Sequence, residues 1–283
     1  MKPGTASKTA QRVALRRAAH QLLDVPLVFP DPLALAILDQ TLRETLTAAP
    51  AALDARPWDR ALRAFLVARS RYAEDQLARA VAAGVRQYVV LGAGLDTFAY
   101  RNPYPGLRVF EVDEPATQAW KRERLASANI ALPSSLVLAG VNFEAGTLAG
   151  QLRGAGLDAG VPAFFSWLGV VPYLRAPAVI ETLQWIAALP RLSAVVFDYA
   201  IPPSRLTAVE RAGFDALAAR VAAAGEPWQT FFDPCRLDGD LKAAGFGHVI
   251  DIGPDEINRQ YFQGRGDGLR VSGTVGHLMH AQV

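Results

Sequence analysis

Seven short apolar runs, separated by segments of helical periodicity, occupy this chain from residue 86 to its end. Such alternation predicts consecutive βαβ units, and therefore a largely parallel sheet with helices on both faces. The runs are residues 88–91, 108–112, 136–141, 163–168, 194–199, 248–252 and 271–281. The last run is long and follows a short helical segment at 254–262, which favours a strand returning antiparallel at the C-terminal edge. We therefore predict an α/β fold built on a seven-stranded, doubly wound sheet.

The first 85 residues have a different pattern, in which helical segments predominate. We predict helices over residues 7–23 and 58–83, and a further helix that starts at Asp31-Pro32, because proline is favoured in the first turn of a helix. The segment after the fifth run is longer than a simple crossover needs. The sequence thus predicts an N-terminal helical cap at 1–85 and a sheet domain at 86–283, with a cap insertion at about 202–228.

Composition removes several classes of function. Lys and Arg number 29 and Asp and Glu 27, a balance too even for a dedicated nucleic-acid binder. A single cysteine, Cys235, permits neither an intramolecular disulfide nor a cysteine-based zinc site. His277 and His280 are three residues apart on a predicted strand, so they face opposite ways and cannot share a metal. No apolar stretch approaches the ~20 residues needed to cross a bilayer. We expect a cytoplasmic protein that acts on a small molecule, without a nucleic-acid, membrane or metal partner; the sequence is silent on oligomeric state.

The first two strands end in a pattern typical of nucleoside binding. The first is followed by Gly92 and Gly94, which allow a sharp turn and a close approach to a ligand. The second ends at Asp113, placed to accept the two hydroxyl groups of a ribose. A dinucleotide site would have a third glycine where Thr97 stands, and the neighbouring Asp96 carboxylate would repel a phosphate and attract a cation.

Arg69 adds a second clue, because it lies within the apolar stripe of the helix at 58–83, four residues from Phe65 and from Ala73. A buried guanidinium needs an anionic partner, since an unpaired one costs about 3–5 kcal/mol. That partner is either an acid of the protein or the carboxylate of a cofactor that carries an amino acid. A third possibility is that the side chain extends to solvent and needs no partner. S-adenosylmethionine has an adenosine, a cationic sulfonium and a carboxylate, and so matches all three features, whereas NAD matches one.

Several motifs together resemble one known family. They are Val-Leu-Gly-Ala-Gly-Leu-Asp-Thr-Phe-Ala-Tyr-Arg at 90–101, Phe-Glu-Val-Asp-Glu-Pro-Ala at 110–116 with Lys121, Val-Ala-Arg-Ser-Arg-Tyr at 67–72, Pro-Ala-Phe-Phe-Ser-Trp-Leu-Gly-Val-Val-Pro-Tyr-Leu at 162–174, and Asp-Pro-Leu-Ala at 31–34. They resemble the leucine carboxyl methyltransferase family, and more closely its bacterial branch of S-adenosylmethionine-dependent O-methyltransferases. The resemblance implies a class I methyltransferase domain, Rossmann-like, with a helical cap over the substrate.

The resemblance also implies roles for individual residues in cofactor binding. Arg69 would bind the carboxylate of the cofactor, Gly92 and Gly94 its methionine part, and Asp113 its ribose. Asn142 and Phe143 would lie at the adenine. Two departures stand out: Asn142 replaces an Asp that is frequent in the bacterial branch, and Leu168 replaces a Glu that is frequent in the wider family.

We therefore predict an S-adenosylmethionine-dependent methyltransferase that methylates a carboxylate or hydroxyl group of a small molecule. Tyr173, Phe214 and His20 are candidates for the acceptor side, His20 also as a base, although a solvated helix histidine is the simpler interpretation. No catalytic residue can be assigned. Two alternatives stay open: a nicotinamide-dependent oxidoreductase, and a non-catalytic protein that binds a nucleoside cofactor.

Overall fold

The computed structural model describes residues 7–56, 58–141, 147–223 and 225–283, and its centre is one seven-stranded sheet. The strands are β1 Gln87–Leu91, β2 Arg108–Asp113, β3 Leu136–Gly140, β4 Ala163–Trp167, β5 Ala194–Ala200, β6 His248–Ile252 and β7 Gly276–Gln282. Their order across the sheet is β3-β2-β1-β4-β5-β7-β6. The order reverses between β1 and β4, which is where ligands bind in open α/β sheets, outside the carboxyl ends of the strands.

The antiparallel last strand is present, and its position refines the prediction. β7 pairs antiparallel with β5 on one side and with β6 on the other, so it lies one place inside the edge. This placement gives the largely buried β7 hydrogen-bond partners on both sides. The edge position falls to β6, in which His248 and Ile250 are exposed.

Helices cover both faces of the sheet. They are α1 Lys8–Leu23, α2 Gln40–Ala48, α3 Asp59–Ala82, α4 Pro115–Ser127, α5 Leu148–Gly154, α6 Ala176–Ala187, α7 Ala208–Ala223, α8 Pro234–Ala244 and α9 Pro254–Tyr261. Successive residues of a strand point to opposite faces. Accordingly Val89 and Leu91 pack in a core with α5, α6 and α8, whereas Tyr88 and Val90 pack in a second core with α3 and α9. The doubly wound α/β fold is confirmed.

The N-terminal helices differ from the prediction at one point. The Ser7 side chain caps α1, and Gly84, with φ of +106°, follows the end of α3, as the sequence indicated. The expected helix at Asp31-Pro32 was wrong, because residues 32–37 form turns. The Asp31 carboxylate accepts a hydrogen bond from Leu33 N–H at 3.1 Å, which closes a turn in place of a helix cap, and Asp39 caps the helix that follows.

The segment after β5 lies beside the carboxyl ends of the strands. Phe232 N–H donates to Ala200 O, at the end of β5, and Gln229 N–H donates to Pro172 O, in the loop after β4. The expected cap insertion at about 202–228 therefore lies at the carboxyl ends of the strands. The division of the chain into a cap and a sheet domain stays a prediction. In the described ranges, no helix has the length and apolarity to cross a membrane.

Candidate cofactor and acceptor site

The loop after β1 is tied directly to β2. Gly92 N–H and Ala93 N–H both donate to Val112 O, at 2.8 and 3.0 Å. Gly92 has φ of +69° and Gly94 of +48°, in the region that favours glycine. A Cβ on Gly92 would lie 2.3 Å from a methyl group of Val170, and one on Gly94 would lie 3.0 Å from Cβ of Ala10. Both glycines are therefore required by conformation and by space.

Asp113, at the end of β2, faces this loop and is 6% exposed. Its Oδ2 accepts a 2.6 Å hydrogen bond from Gly94 N–H, and its Oδ1 accepts a 2.7 Å bond from Glu114 N–H. Burial raises the pKa of Asp113, while these two backbone bonds oppose the rise. Each carboxylate oxygen can accept a further hydrogen bond, so the pair of glycine loop and acid suits the two hydroxyl groups of a ribose.

Arg69 has an acidic partner within the protein. Its Nη1 lies 2.8 Å from Oδ2 of Asp198 near the end of β5, and Asp198 Oδ1 also accepts a hydrogen bond from Gly169 N–H. Gly169 has φ of +73°, and a Cβ there would come within 2.7 Å of Arg69 Nη2. The internal ion pair is therefore the partner that the structure supplies, and binding of a cofactor carboxylate by Arg69 stays a prediction.

Asp96 and Thr97 are held by the N-terminal helices. Arg17 on α1 donates to Thr97 Oγ1 at 2.8 Å, pairs with Asp31 at 2.5 Å and lies 3.7 Å from Asp96 Oδ2. Although burial opposes it, the charges of Arg17 and Arg101 hold the pKa of Asp31 below its ordinary value. The Asp96 carboxylate thus has a cationic neighbour of its own. Sequence reasoning missed this network, since nothing in the order of residues links Arg17 to a loop 80 positions later.

Tyr173, the first candidate for the acceptor side, lies in the loop after β4. Burial raises the pKa of Tyr173, against the effect of hydrogen bonds with Trp228 and Thr9. Phe214 of α7 is 7% exposed, and its ring centroid lies 5.3 Å from that of Trp228. The structure therefore connects Phe214 to Tyr173 through Trp228, and the role of both in acceptor binding stays a prediction.

His20 occupies a different environment from either interpretation of the sequence. The ring is wholly buried; Nδ1 lies 2.7 Å from Asp24 Oδ2, and Nε2 lies 3.1 and 3.2 Å from the N–H groups of Val28 and Phe29. Because two N–H donors point at Nε2, that nitrogen is the unprotonated one and Nδ1 donates to Asp24. The solvated histidine was wrong, and this geometry leaves no nitrogen free for an acceptor molecule.

The sequence model of the leucine carboxyl methyltransferase family matches residues 10–187, well over half of the chain. This chain belongs to the leucine carboxyl methyltransferase family. The matched range contains Arg69, the glycine loop, Asp113 and Tyr173, and it ends before the insertion that carries Phe214.

Relatives and solved structures agree with this assignment. YktD of Bacillus subtilis (strain 168), named as an S-adenosyl-L-methionine-dependent methyltransferase, is 30% identical over 303 aligned positions that cover 99% of each chain. A protein of Frankia alni with the same type of name is 35% identical over 67% of this chain and 66% of its own. A structure described as a methyltransferase from Thermobifida fusca has a TM-score of 0.55 at 16% identity, covering 91% of this chain and 96% of its own, and supports the fold.

Asn142, Phe143 and Leu168 were also singled out in the sequence. Asn142 and Phe143 lie outside the described residues. Leu168 is half-buried and packs against the core shared by α3 and the sheet, so it presents no polar group where the wider family often has Glu. His277 pairs with Asp251 at 2.9 Å, on the face of the sheet that α8 covers. His280 is paired with Ile250 of β6 and lies next to His248, so the two rings lie on opposite faces of the sheet.

Proposed function

We propose that this protein transfers the methyl group of S-adenosylmethionine to an oxygen atom of a small molecule. That the protein is an S-adenosylmethionine-dependent methyltransferase follows from its family and from its full-length similarity to YktD. The observation that carries the proposal is the 2.6 Å hydrogen bond from Gly94 N–H to Asp113, which holds the acid proposed to bind the ribose against a glycine loop at the switch point of the sheet.

The residues of this site fit the cofactor. Gly92 and Gly94 let the loop turn sharply against Val170 and Ala10, Asp113 has lone pairs for a ribose, and Arg69 provides a cation for a carboxylate. When bound, S-adenosylmethionine supplies an electrophilic methyl group on a cationic sulfur. The protein's part is then to hold an acceptor oxygen in line with that methyl group and to exclude water.

The state of the candidate bases favours a carboxylate acceptor. A carboxylate is already ionised at neutral pH, with a reference pKa of about 4, and needs no base. A hydroxyl acceptor is helped by one. His20 has both nitrogens engaged, and burial raises the pKa of Tyr173, so that its phenol stays protonated at neutral pH. Tyr173 can still orient an acceptor by donating a hydrogen bond.

The two alternatives receive less support. A nicotinamide-dependent oxidoreductase requires room for a pyrophosphate at the third glycine position, where the buried Thr97 is bound to Arg17 and Asp31. A non-catalytic protein would keep the cofactor site alone, and the apolar Leu168 is the feature that favours it. We further propose a cytoplasmic location and a small-molecule acceptor, without a nucleic-acid or membrane partner.

Calorimetry followed by an acceptor screen tests the proposal. S-adenosylmethionine and its demethylated product should bind and NAD should not, and Asp113→Asn should weaken both interactions. Radiolabelled methyl transfer to a library of carboxylic acids and alcohols should then yield labelled products, with carboxylic acids preferred. Binding of NAD alone would overturn the methyltransferase, and cofactor binding without transfer to any member of a broad library would favour the non-catalytic alternative.

A further inference from the structure

Glu226, in the segment that follows α7, is a buried acid to which neither cofactor binding nor acceptor binding has assigned a role. It is 8% exposed. Its Oε1 accepts a 2.9 Å hydrogen bond from Ser7 Oγ, and its Oε2 accepts from Thr9 Oγ1 and, at 3.2 Å, from Thr9 N–H. These contacts join residues more than 200 positions apart, and they fasten the first turn of α1 to the insertion after β5.

This first turn of α1 lies over the candidate cofactor site. Ala10 stands against the glycine loop, close enough that a Cβ on Gly94 would be 3.0 Å from its own Cβ. The Thr9 side chain is hydrogen-bonded to Tyr173, which we propose for the acceptor side. The charge of Glu226 also contributes, less than burial does, to raising the pKa of Asp113. The contact between Glu226 and the first turn of α1 therefore lies next to the loop that carries Gly94.

The rest of α1 is held in a different way. Its middle turns carry Arg16, paired with Asp59 at 3.0 Å, and Arg17, paired with Asp31, and all four side chains are at least nine-tenths buried. In the described ranges Glu226 has no Lys, Arg or His within 4.0 Å and is bound by neutral donors alone. Buried ion pairs are costly to separate, whereas hydroxyl and backbone donors can exchange a carboxylate for water. The helix is thus anchored at its middle and held reversibly at its start.

We propose that Glu226 is a positioning residue for cofactor exchange: its carboxylate latches the first turn of α1 over the cofactor site, and release of Ser7 and Thr9 opens the site while Arg16 and Arg17 stay anchored. The proposal rests on the proposed function for the identity of the ligand. The latch itself is defined by contacts within the chain.

Glu226→Gln tests the latch, with Glu210→Gln as a matched control. Glu210, on α7, accepts from Thr207 Oγ1 and Thr207 N–H just as Glu226 accepts from Thr9, but it is half-buried and its other partner, Thr274, lies outside α1. Hydrogen–deuterium exchange of the ligand-free proteins should show faster exchange at the amides of residues 10–13 in Glu226→Gln only. The amides of residues 17–23 should keep their protection in both variants.

Stopped-flow fluorescence, using Trp228 beside Tyr173 as the probe, should show that S-adenosylhomocysteine leaves Glu226→Gln about tenfold faster than the parent protein. Association should not become slower, and Glu210→Gln should behave as the parent. The double variant Ser7→Ala/Thr9→Ala removes two donors and leaves the acid, so it should reproduce the faster release if Glu226→Gln does not fold.

Three outcomes overturn the latch. The first is unchanged exchange at residues 10–13 and unchanged release in both altered proteins. The second is loss of cofactor affinity with protection of residues 10–13 intact, which would make Glu226 a ligand of the cofactor. The third is equal loss of protection at residues 17–23, which would make the contact general packing. If S-adenosylhomocysteine binds to no protein, including the parent, the proposed function fails, and the exchange data still decide whether Glu226 holds the turn.

Discussion

Arg69 Nη1 lies 2.8 Å from Asp198 Oδ2, and this ion pair joins α3 to the end of β5 with both side chains about 7% exposed. A cofactor carboxylate that binds Arg69 must share the guanidinium with Asp198 or displace it. Since the planar guanidinium presents five N–H donors, sharing is compatible with its chemistry. The predicted role of Arg69 in binding is therefore separable from the role that its ion pair gives it in stability.

We expect Arg69→Ala to lower the stability of the ligand-free protein by about 3–5 kcal/mol, because Asp198 is left buried without a partner. Cofactor affinity should also fall about a hundredfold. The double variant Arg69→Ala/Asp198→Asn should regain much of the stability and none of the affinity. Urea unfolding and calorimetry measure the two effects, and recovery of affinity in the double variant would show that Arg69 acts on the cofactor only through the fold.

Gly92→Ala should disable the cofactor site at a known contact. The new Cβ would lie 2.3 Å from Val170, and the residue would keep a φ of +69°. We expect at least about a tenfold loss of cofactor affinity, because the loop must move away from Asp113 to relieve the clash. Gly84→Ala is the control, since Gly84 also has a positive φ, of +106°, but has nothing within 4 Å of an added Cβ.

Gly84→Ala should cost about 1–2 kcal/mol of stability and leave affinity unchanged. In a Val170→Ala background, Gly92→Ala should recover part of its affinity. An equal loss of affinity in both glycine variants would mean that backbone strain, and not the contact with Val170, governs the site.

His20→Phe should separate structure from chemistry at the proposed acceptor side. Removing the ring nitrogens leaves the N–H groups of Val28 and Phe29 without their partner, at about 1–3 kcal/mol for each buried group, whereas Asp24 keeps its bonds to Arg63. We expect lower stability and an unchanged pattern of methylated acceptors. A changed acceptor pattern in the folded variant would return His20 to the acceptor site.

The sequence was sufficient for the sheet because its signal is local. Each strand is a short apolar run, and alternation with helices selects a parallel sheet, so β1 to β6 lie where periodicity placed them. The link between Gly94 and Asp113 was also predictable, since parallel strands bring their carboxyl ends to one edge. Partners far apart in the chain were not: Asp198 lies 129 positions from Arg69, and Glu226 lies 217 positions from Thr9. Such pairs depend on how the helices pack, which no spacing in the sequence records.

Helix starts were less predictable, for a physical reason. Asp31-Pro32 and Asp39 both carry an acid suited to an N-cap, but only Asp39 has its carboxylate free for that role, accepting from Leu42 N–H at 2.8 Å. The Asp31 carboxylate is engaged by Arg17 and Thr97, which come from other parts of the chain. Tertiary ion pairs therefore decided which of two similar local signals formed a helix.

His280 should make the stability of the protein fall in mild acid. Burial, together with the smaller effects of the charges of His248 and Arg79, lowers the pKa of His280 to about 4. In the unfolded chain the pKa of this histidine is about 6.5, so between pH 6.5 and 4 the unfolded state binds a proton that the folded state does not. The folded protein therefore has its full stability above pH 6.5 and loses stability as the pH falls towards 4. Through this residue alone, the free energy of unfolding should be about 2–3 kcal/mol lower near pH 4.5 than near pH 8.

Urea unfolding of the parent protein and of His280→Leu at both pH values isolates this contribution, because the other titrating groups cancel in the difference between the two proteins. Nδ1 of His280 has no hydrogen-bond partner in the described part of the chain, so leucine should be tolerated at neutral pH. His248→Gln removes one of the two neighbouring charges and should reduce the acid-induced loss only in part. Parallel pH dependences for the parent and His280→Leu would mean that the imidazole accepts its proton in the folded state, and that its burial does not control acid stability.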